Sequence, residues 1–129
     1  MLLKNKTAVI TGCNKGIGKK ILEIFSLNGA TIFACVRKLD EEFKSEVDEI
    51  QKKYNGKIIP IQLDLTDRNQ IKEASTNILS SEKKIDILIN NAASINTATF
   101  QMTSENKLRE IFEINFFSQS VFTQYILKS

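Results

Sequence analysis

Thr11-Gly12-Cys13-Asn14-Lys15-Gly16-Ile17-Gly18 lies where a short apolar run, Ala8-Val9-Ile10, gives way to a segment with helical spacing. Glycines at a strand-to-helix junction let backbone amides and a helix N-terminus face a phosphate directly. Gly12 would permit the sharp turn off the strand, Gly16 would remove a Cβ that holds a phosphate away, and Gly18 would let the helix pack close to the sheet. The same glycines would also suit a plain tight turn, so the stretch acquires its meaning from what surrounds it.

Outward from this junction, apolar runs of strand length alternate with segments of helical length, the pattern of repeated βα units and a parallel sheet. The first strand is expected at Thr7 to Thr11, and its helix at about Gly16 to Leu27 with Ile17, Ile21, Ile24 and Phe25 on the inner face. Asn28-Gly29 ends that helix. The second strand, Thr31 to Val36, is continuously apolar, as expected for a strand covered on both faces. A charged helix from about Asp40 to Tyr54 buries only the stripe Phe43, Val47 and Ile50, and Asn55-Gly56 closes it. The third strand, Lys57 to Leu63, contains Pro60, which cannot donate to a ladder and so belongs at a sheet edge. Thr66 or Asp67 caps a helix from about Arg68 to Ser81, with Ile71, Ala74 and Ile78 facing the sheet. The fourth strand is Ile85 to Asn90, and Thr103 or Ser104 caps a last helix reaching Leu127.

Length and composition fit one globular domain, residues 1–129, with 42% hydrophobic content to fill a core. The net charge of +3 comes from 18 basic and 15 acidic residues with the lysines scattered, which gives no basic stripe for a nucleic acid. No apolar run reaches membrane-spanning length, so a cytoplasmic protein without a membrane partner is expected. Cys13 and Cys35 suit a reducing compartment and make no metal-ligand or disulfide framework; both are expected as small packing residues. The chain has no His, which excludes His-based triads and proton shuttles.

Three further motifs follow the glycine loop in order: Asp64-Leu65-Thr66, Asn90-Asn91-Ala92-Ala93, and Asn115 within Glu113-Ile114-Asn115-Phe116. With these, the chain resembles a short-chain dehydrogenase/reductase over its whole length, closest in flavour to 3-oxoacyl-carrier-protein reductases. The glycine spacing, Gly-x-x-x-Gly-x-Gly, is that of this family and not the Gly-x-Gly-x-x-Gly of the general dinucleotide fingerprint. The resemblance implies a Rossmann-type, doubly wound α/β fold with strand order 3-2-1-4, which agrees with an edge position for Pro60. It also implies an incomplete fold relative to the family, because the catalytic Ser and the Tyr-x-x-x-Lys pair would lie beyond Ser129. Tyr125 and Lys128 are three apart, not four, and are expected as core and surface.

On this resemblance, the loop residues Gly12, Cys13, Asn14, Lys15, Gly16, Ile17 and Gly18 bind a nicotinamide dinucleotide. Asp64 accepts from the adenine amino group, the Leu65 amide donates to the ring, the Asn90 and Ala92 backbone lines a ribose, and Asn91 ties neighbouring strands. Ala93 replaces the usual Gly. Asn115 is the one visible member of the catalytic tetrad, its backbone bending the helix in a proton relay. A buried Asn among Phe112, Ile114, Phe116 and Phe117 would need hydrogen-bond partners, which also favours a specific role.

Val36 stands where NAD-specific members carry a carboxylate, and Arg37 follows at once. A guanidinium can hold a 2′-phosphate through paired, charge-assisted hydrogen bonds, and Lys15 adds a second cation, so NADP is expected over NAD. The expected reaction moves hydride between nicotinamide and a small-molecule carbonyl or secondary alcohol. A catalytically inactive nucleotide-binding or interaction module from a truncated gene is the alternative.

The last helix carries apolar residues on more than one stripe, including Ile111, Phe112, Phe116, Phe117, Phe122 and Ile126. One side should meet the sheet, while the other resembles the family's dimer interface and predicts a homo-oligomer through the helix at 104–128. The fourth strand would be an open sheet edge, with Phe116, Phe117, Phe122 and Ile126 short of cover.

Overall fold

The computed structural model describes residues 1–54, 56–82 and 84–129. Four parallel strands, β1 (Thr7–Thr11), β2 (Thr31–Val36), β3 (Lys57–Gln62) and β4 (Ile87–Ile89), lie in the order β3-β2-β1-β4. Between them run α1 (Gly16–Leu27), α2 (Glu41–Tyr54) and α3 (Arg68–Ser81). A single 3₁₀ turn, Phe100–Met102, precedes α4 (Glu105–Phe112), a π-helical turn (Glu113–Ser118) and α5 (Gln119–Ile126). This is the expected Rossmann-type sheet, with Pro60 on the edge strand.

Alternation along the two central strands builds two cores. Ala8, Ile10, Ile32 and Ala34 point to one face and meet Leu22 of α1 with Phe43, Val47 and Ile50 of α2. Val9, Phe33 and Cys35 point to the other and meet Ile71, Ala74 and Ile78 of α3 with Phe122 and Ile126 of α5. Helices on both faces explain why β1 is apolar and fully buried, without the polar alternation of a one-sided sheet.

Local chemistry sets the boundaries. Asp40 caps α2 by accepting from the Phe43 amide at 2.9 Å, so that helix begins at Glu41 and not at Asp40. Asp67, rather than Thr66, caps α3, accepting from Asn69 N at 2.9 Å and Gln70 N at 3.3 Å. Ser104 caps α4 by accepting from Lys107 N at 3.1 Å. Asn55 of the expected Asn55-Gly56 stop lies outside the described residues.

Four expectations need correction. The inner face of α1 is Gly18, Leu22 and Ser26, flanked by the half-buried Ile21 and Phe25, while Ile17 and Ile24 are exposed. β3 stops at Gln62 and β4 spans only Ile87–Ile89. Past the carboxyl end of β4 the chain turns to a side chain: the Asn91 and Ala92 amides both donate to Thr11 Oγ1, at 3.1 and 3.0 Å. The last helix is interrupted by a π turn. Finally, Phe122 and Ile126 are buried against α3 and the sheet, whereas Phe112, Phe116, Phe117 and Leu127 face outward.

Candidate functional site

A cleft of about 570 Å³ opens at the carboxyl ends of the strands, between the glycine loop, the segments after β2, β3 and β4, and the α4 side of the last helix. Open α/β sheets hold ligands at this edge. The structure brings Gly12, Asn14, Lys15, Gly16, Ile17, Arg37, Asp64, Leu65 and Ala92 together on its wall.

The loop is shaped by its glycines. Gly12 has φ +69° and Gly16 has φ +59°, left-handed conformations that a side chain resists. Gly18 is required by proximity: a Cβ there would collide with the Gly12 carbonyl and lie 2.6 Å from Asn91 Nδ2. Asn91 is what holds this corner, donating from Nδ2 to Gly12 O at 3.1 Å, which is the strand-tying role expected of it. Gly18 therefore supports the loop from beneath and does not line the cleft.

Cys13 also sits under the loop. Its Sγ donates to Ile10 O at 3.0 Å, and burial pushes the thiol up to about 12, against a lowering hydrogen bond from the Cys35 backbone. Burial likewise pushes the Cys35 thiol far up. Both are packing residues.

Arg37 and Asp64 meet each other, Nε to Oδ2 at 3.6 Å. Asp64 Oδ1 also accepts from Thr66 N at 2.9 Å and Thr66 Oγ1 at 2.7 Å. Slight burial pushes the Asp64 carboxyl up, but the Thr66 hydrogen bonds and the Arg37 guanidinium outweigh it and hold the group below the usual carboxylate range. The carboxylate thus caps its own turn through Oδ1 and meets Arg37 through Oδ2 on the wall of the cleft. The residue directly after β2 is basic: Val36 is buried and Arg37 is largely exposed.

Behind the cleft the segment after β4 runs along the last helix in three rungs. Asn90 Nδ2 donates to Thr123 Oγ1 at 3.0 Å, Gln119 Nε2 donates to Ala92 O at 2.5 Å, and Asn115 Nδ2 donates to Ser94 O at 2.7 Å. Asn115 Oδ1 also accepts from Ser94 N at 2.7 Å. Two extended residues advance roughly 6.6 Å and four helical residues roughly 6 Å, so alternate strand positions match successive helical turns. Asn115 is exposed and not buried, yet its amide is paired on both sides with the backbone N–H and carbonyl of Ser94. Asn90 and Asn115 consequently face the helix–strand seam and not the cleft.

Sequence reasoning missed several wall residues. Thr11, through its hydroxyl, fixes the Asn91 and Ala92 amides, and its place at the end of β1 was a readable signal. Lys107, Glu110 and Ile114 reach the cleft from the far side of the chain at i, i+3 and i+7, a helical stripe readable only once the helix is placed. Tyr125 is half-buried and Lys128 lies over its ring, Nζ 5.0 Å from the centroid, so the two are core and surface as expected.

A doubly wound parallel sheet with a glycine-rich β1–α1 turn at its carboxyl edge defines the Rossmann class of dinucleotide-binding folds. Residues 6–129 match the family model for short chain dehydrogenases. The chain is 32% identical over 118 residues to a 3-oxoacyl-[acyl-carrier-protein] reductase of Thermotoga maritima, covering 89% of this chain and 46% of that protein. It is 31% identical over 132 residues to NADPH-dependent aldehyde reductase 1, chloroplastic, of Arabidopsis thaliana, covering 98% and 46%. Among solved structures, a short-chain dehydrogenase/reductase variant from Serratia marcescens superimposes with TM-score 0.89 at 23% identity, over 99% of this chain and 52% of the other. L-sorbose reductase from Gluconobacter frateurii, complexed with NADPH and L-sorbose, superimposes with TM-score 0.86 at 24% identity, over 97% and 47%. The chain belongs to the short-chain dehydrogenase/reductase family. It spans less than half the length of these two curated relatives.

Proposed function

We propose that this chain is the NADP(H)-binding part of a short-chain dehydrogenase/reductase that moves hydride between nicotinamide and a small carbonyl compound or secondary alcohol. The observation that carries the cofactor choice is the end of β2: a buried Val36 where a ribose-binding carboxylate would stand, then a largely exposed Arg37 beside the cleft. The amides around Asn14, Lys15 and Gly16 cradle the pyrophosphate, with Cys13 contributing backbone only. Arg37 and Lys15 take the 2′-phosphate, and the Arg37 fork leaves Asp64 to do so, freeing that carboxylate for the adenine amino group. The Leu65 amide and the Asn90 and Ala92 backbone complete the adenosine and ribose contacts. Asn115 acts in proton transfer through the wide helical turn it occupies.

Two features of the family member's setting follow. Free, buried cysteines suit the reducing cytoplasm. The outward Phe112, Phe116 and Phe117, beside a shallow groove that also involves Leu108, form the contact of a homo-oligomer. Among the described residues, no helix is long and apolar enough to cross a membrane.

Calorimetric titration tests the cofactor choice. NADPH is expected to bind more tightly than NADH by roughly 1 to 3 kcal/mol, the scale of a charge-assisted hydrogen bond, and Arg37→Ala is expected to remove most of that difference. Equal affinities in the unmodified chain would overturn the NADP assignment.

A further inference from the structure

The π turn that carries Asn115 is held by a contact far away in sequence. Glu113, its first residue, receives the guanidinium of Arg68 from the first turn of α3: Nε donates to Glu113 Oε1 at 3.1 Å, and the terminal nitrogen donates to the same oxygen. Ser118, the last residue of the turn and fully buried, donates its hydroxyl to that oxygen at 3.4 Å. One carboxylate oxygen thus joins both ends of the wide turn to the neighbouring helix.

The position of this clamp matters because of the three rungs behind the cleft. In an uninterrupted α-helix four residues rotate by about 400°, so Asn115, Gln119 and Thr123 would each step about 40° out of line with a straight strand. A π turn closes i to i+5 and rotates less per residue, which offsets that drift between Asn115 and Gln119. The setting of the turn therefore decides whether Asn115 meets Ser94. Both partners of the ion pair are partly exposed, and such pairs contribute little to global stability. Their joining of α3 to both ends of the π turn gives them a local effect instead.

We propose that Arg68 and Glu113 are positioning residues: their ion pair holds the π turn in the setting that aims the Asn115 amide at Ser94 and keeps residues 90–94 in line behind the cleft. The consequence for chemistry rests on the cofactor reading above; the positioning itself does not.

Amide hydrogen exchange on the chain tests this, with Ser94 as the reporter and Val9, in the buried β1, as the control for global stability. Arg68→Ala and Glu113→Ala are expected to speed Ser94 exchange about tenfold with no matching change at Val9, because only the local opening is altered. The charge swap Arg68→Glu with Glu113→Arg is expected to restore Ser94 protection. Arg68→Met, which keeps the side-chain stem on a partly exposed residue, gives the same readout should the Glu113 variant fail to fold. Ser94 exchange unchanged in the single variants, or rising only in step with Val9, or left fast by the swap, would overturn the proposal. Cofactor titration of the same samples is read separately: absent binding with a responsive Ser94 refutes the cofactor reading and leaves the clamp standing.

Discussion

Replacing Gly18 by Ala asks how tightly the glycine loop is built. The new methyl group would meet the Gly12 carbonyl and stand 2.6 Å from Asn91 Nδ2, and neither is the loose end of a flexible chain. Asn91 is pinned by its own bond to Gly12 O at 3.1 Å, so relief requires breaking that bond or lifting α1 from the sheet. The lost hydrogen bond costs about 1 kcal/mol and the overpacking about 1 to 3 kcal/mol. Against this, Ala is better than Gly inside a helix by about 0.8 to 1 kcal/mol. The crowding wins, and the net destabilisation is expected at about 1 to 3 kcal/mol in urea unfolding followed by circular dichroism. Asn91→Ala removes one of the two obstructing groups, so Gly18→Ala should cost less in that background, with a coupling of roughly 0.5 to 2 kcal/mol. A neutral or stabilising Gly18→Ala, or strict additivity with Asn91→Ala, would refute the account of the corner.

Three other outcomes are expected. Asp86 is held below the usual carboxylate range by the Thr7 amide at 3.0 Å and by Lys84, and Asp64 is also depressed, so their stabilising contribution is present above about pH 4 and is lost as pH falls further. Acid titration of stability should show this limb flattened in Asp86→Asn; an unchanged limb would count against the assignment. Thiol labelling at neutral pH should leave Cys13 and Cys35 unmodified until the chain unfolds, and rapid labelling of the native protein would contradict their burial. Light scattering should show concentration-dependent association that Phe116→Glu with Phe117→Glu abolishes, whereas a monodisperse monomer at every concentration would remove the proposed contact.

The sheet was legible because its signals are local. Thr31 to Val36 is an apolar run between Gly29 and Arg37, and Pro60 marks an edge, so the bounds of β2 and the edge place of β3 could be read without neighbours, while the full strand order came from the family resemblance. The loop wall was legible for the same reason, since turn, glycines and following helix are contiguous. What escaped depends on distant partners. Beyond β4 the Thr11 hydroxyl takes the Asn91 and Ala92 amides, a contact with a residue some 80 positions away. The exposure of Ile17 follows from its place over the cleft, which periodicity along α1 cannot register. The division of the last helix into a buried Phe122 side and an outward Phe116 side needed α3 in place. The resemblance implied a bend at Asn115, but the grip on the π turn there could not be read, because Arg68 is 45 residues away.

The three rungs between residues 90–94 and the last helix also constrain how this chain can vary in length. Adding one residue between Gln119 and Thr123 would swing the groups on one side of the insertion by about 100° relative to the other and carry a rung off the strand. The same addition in residues 95–99 would be taken up by loop conformation, at little cost in closure entropy. The π turn is the one stretch where the helix already spends an extra residue per turn without losing its alignment. Natural variants that add or delete residues should therefore spare the helix from Asn115 to Thr123 and collect in the loop before it, whatever side chains the outer surface of that helix carries.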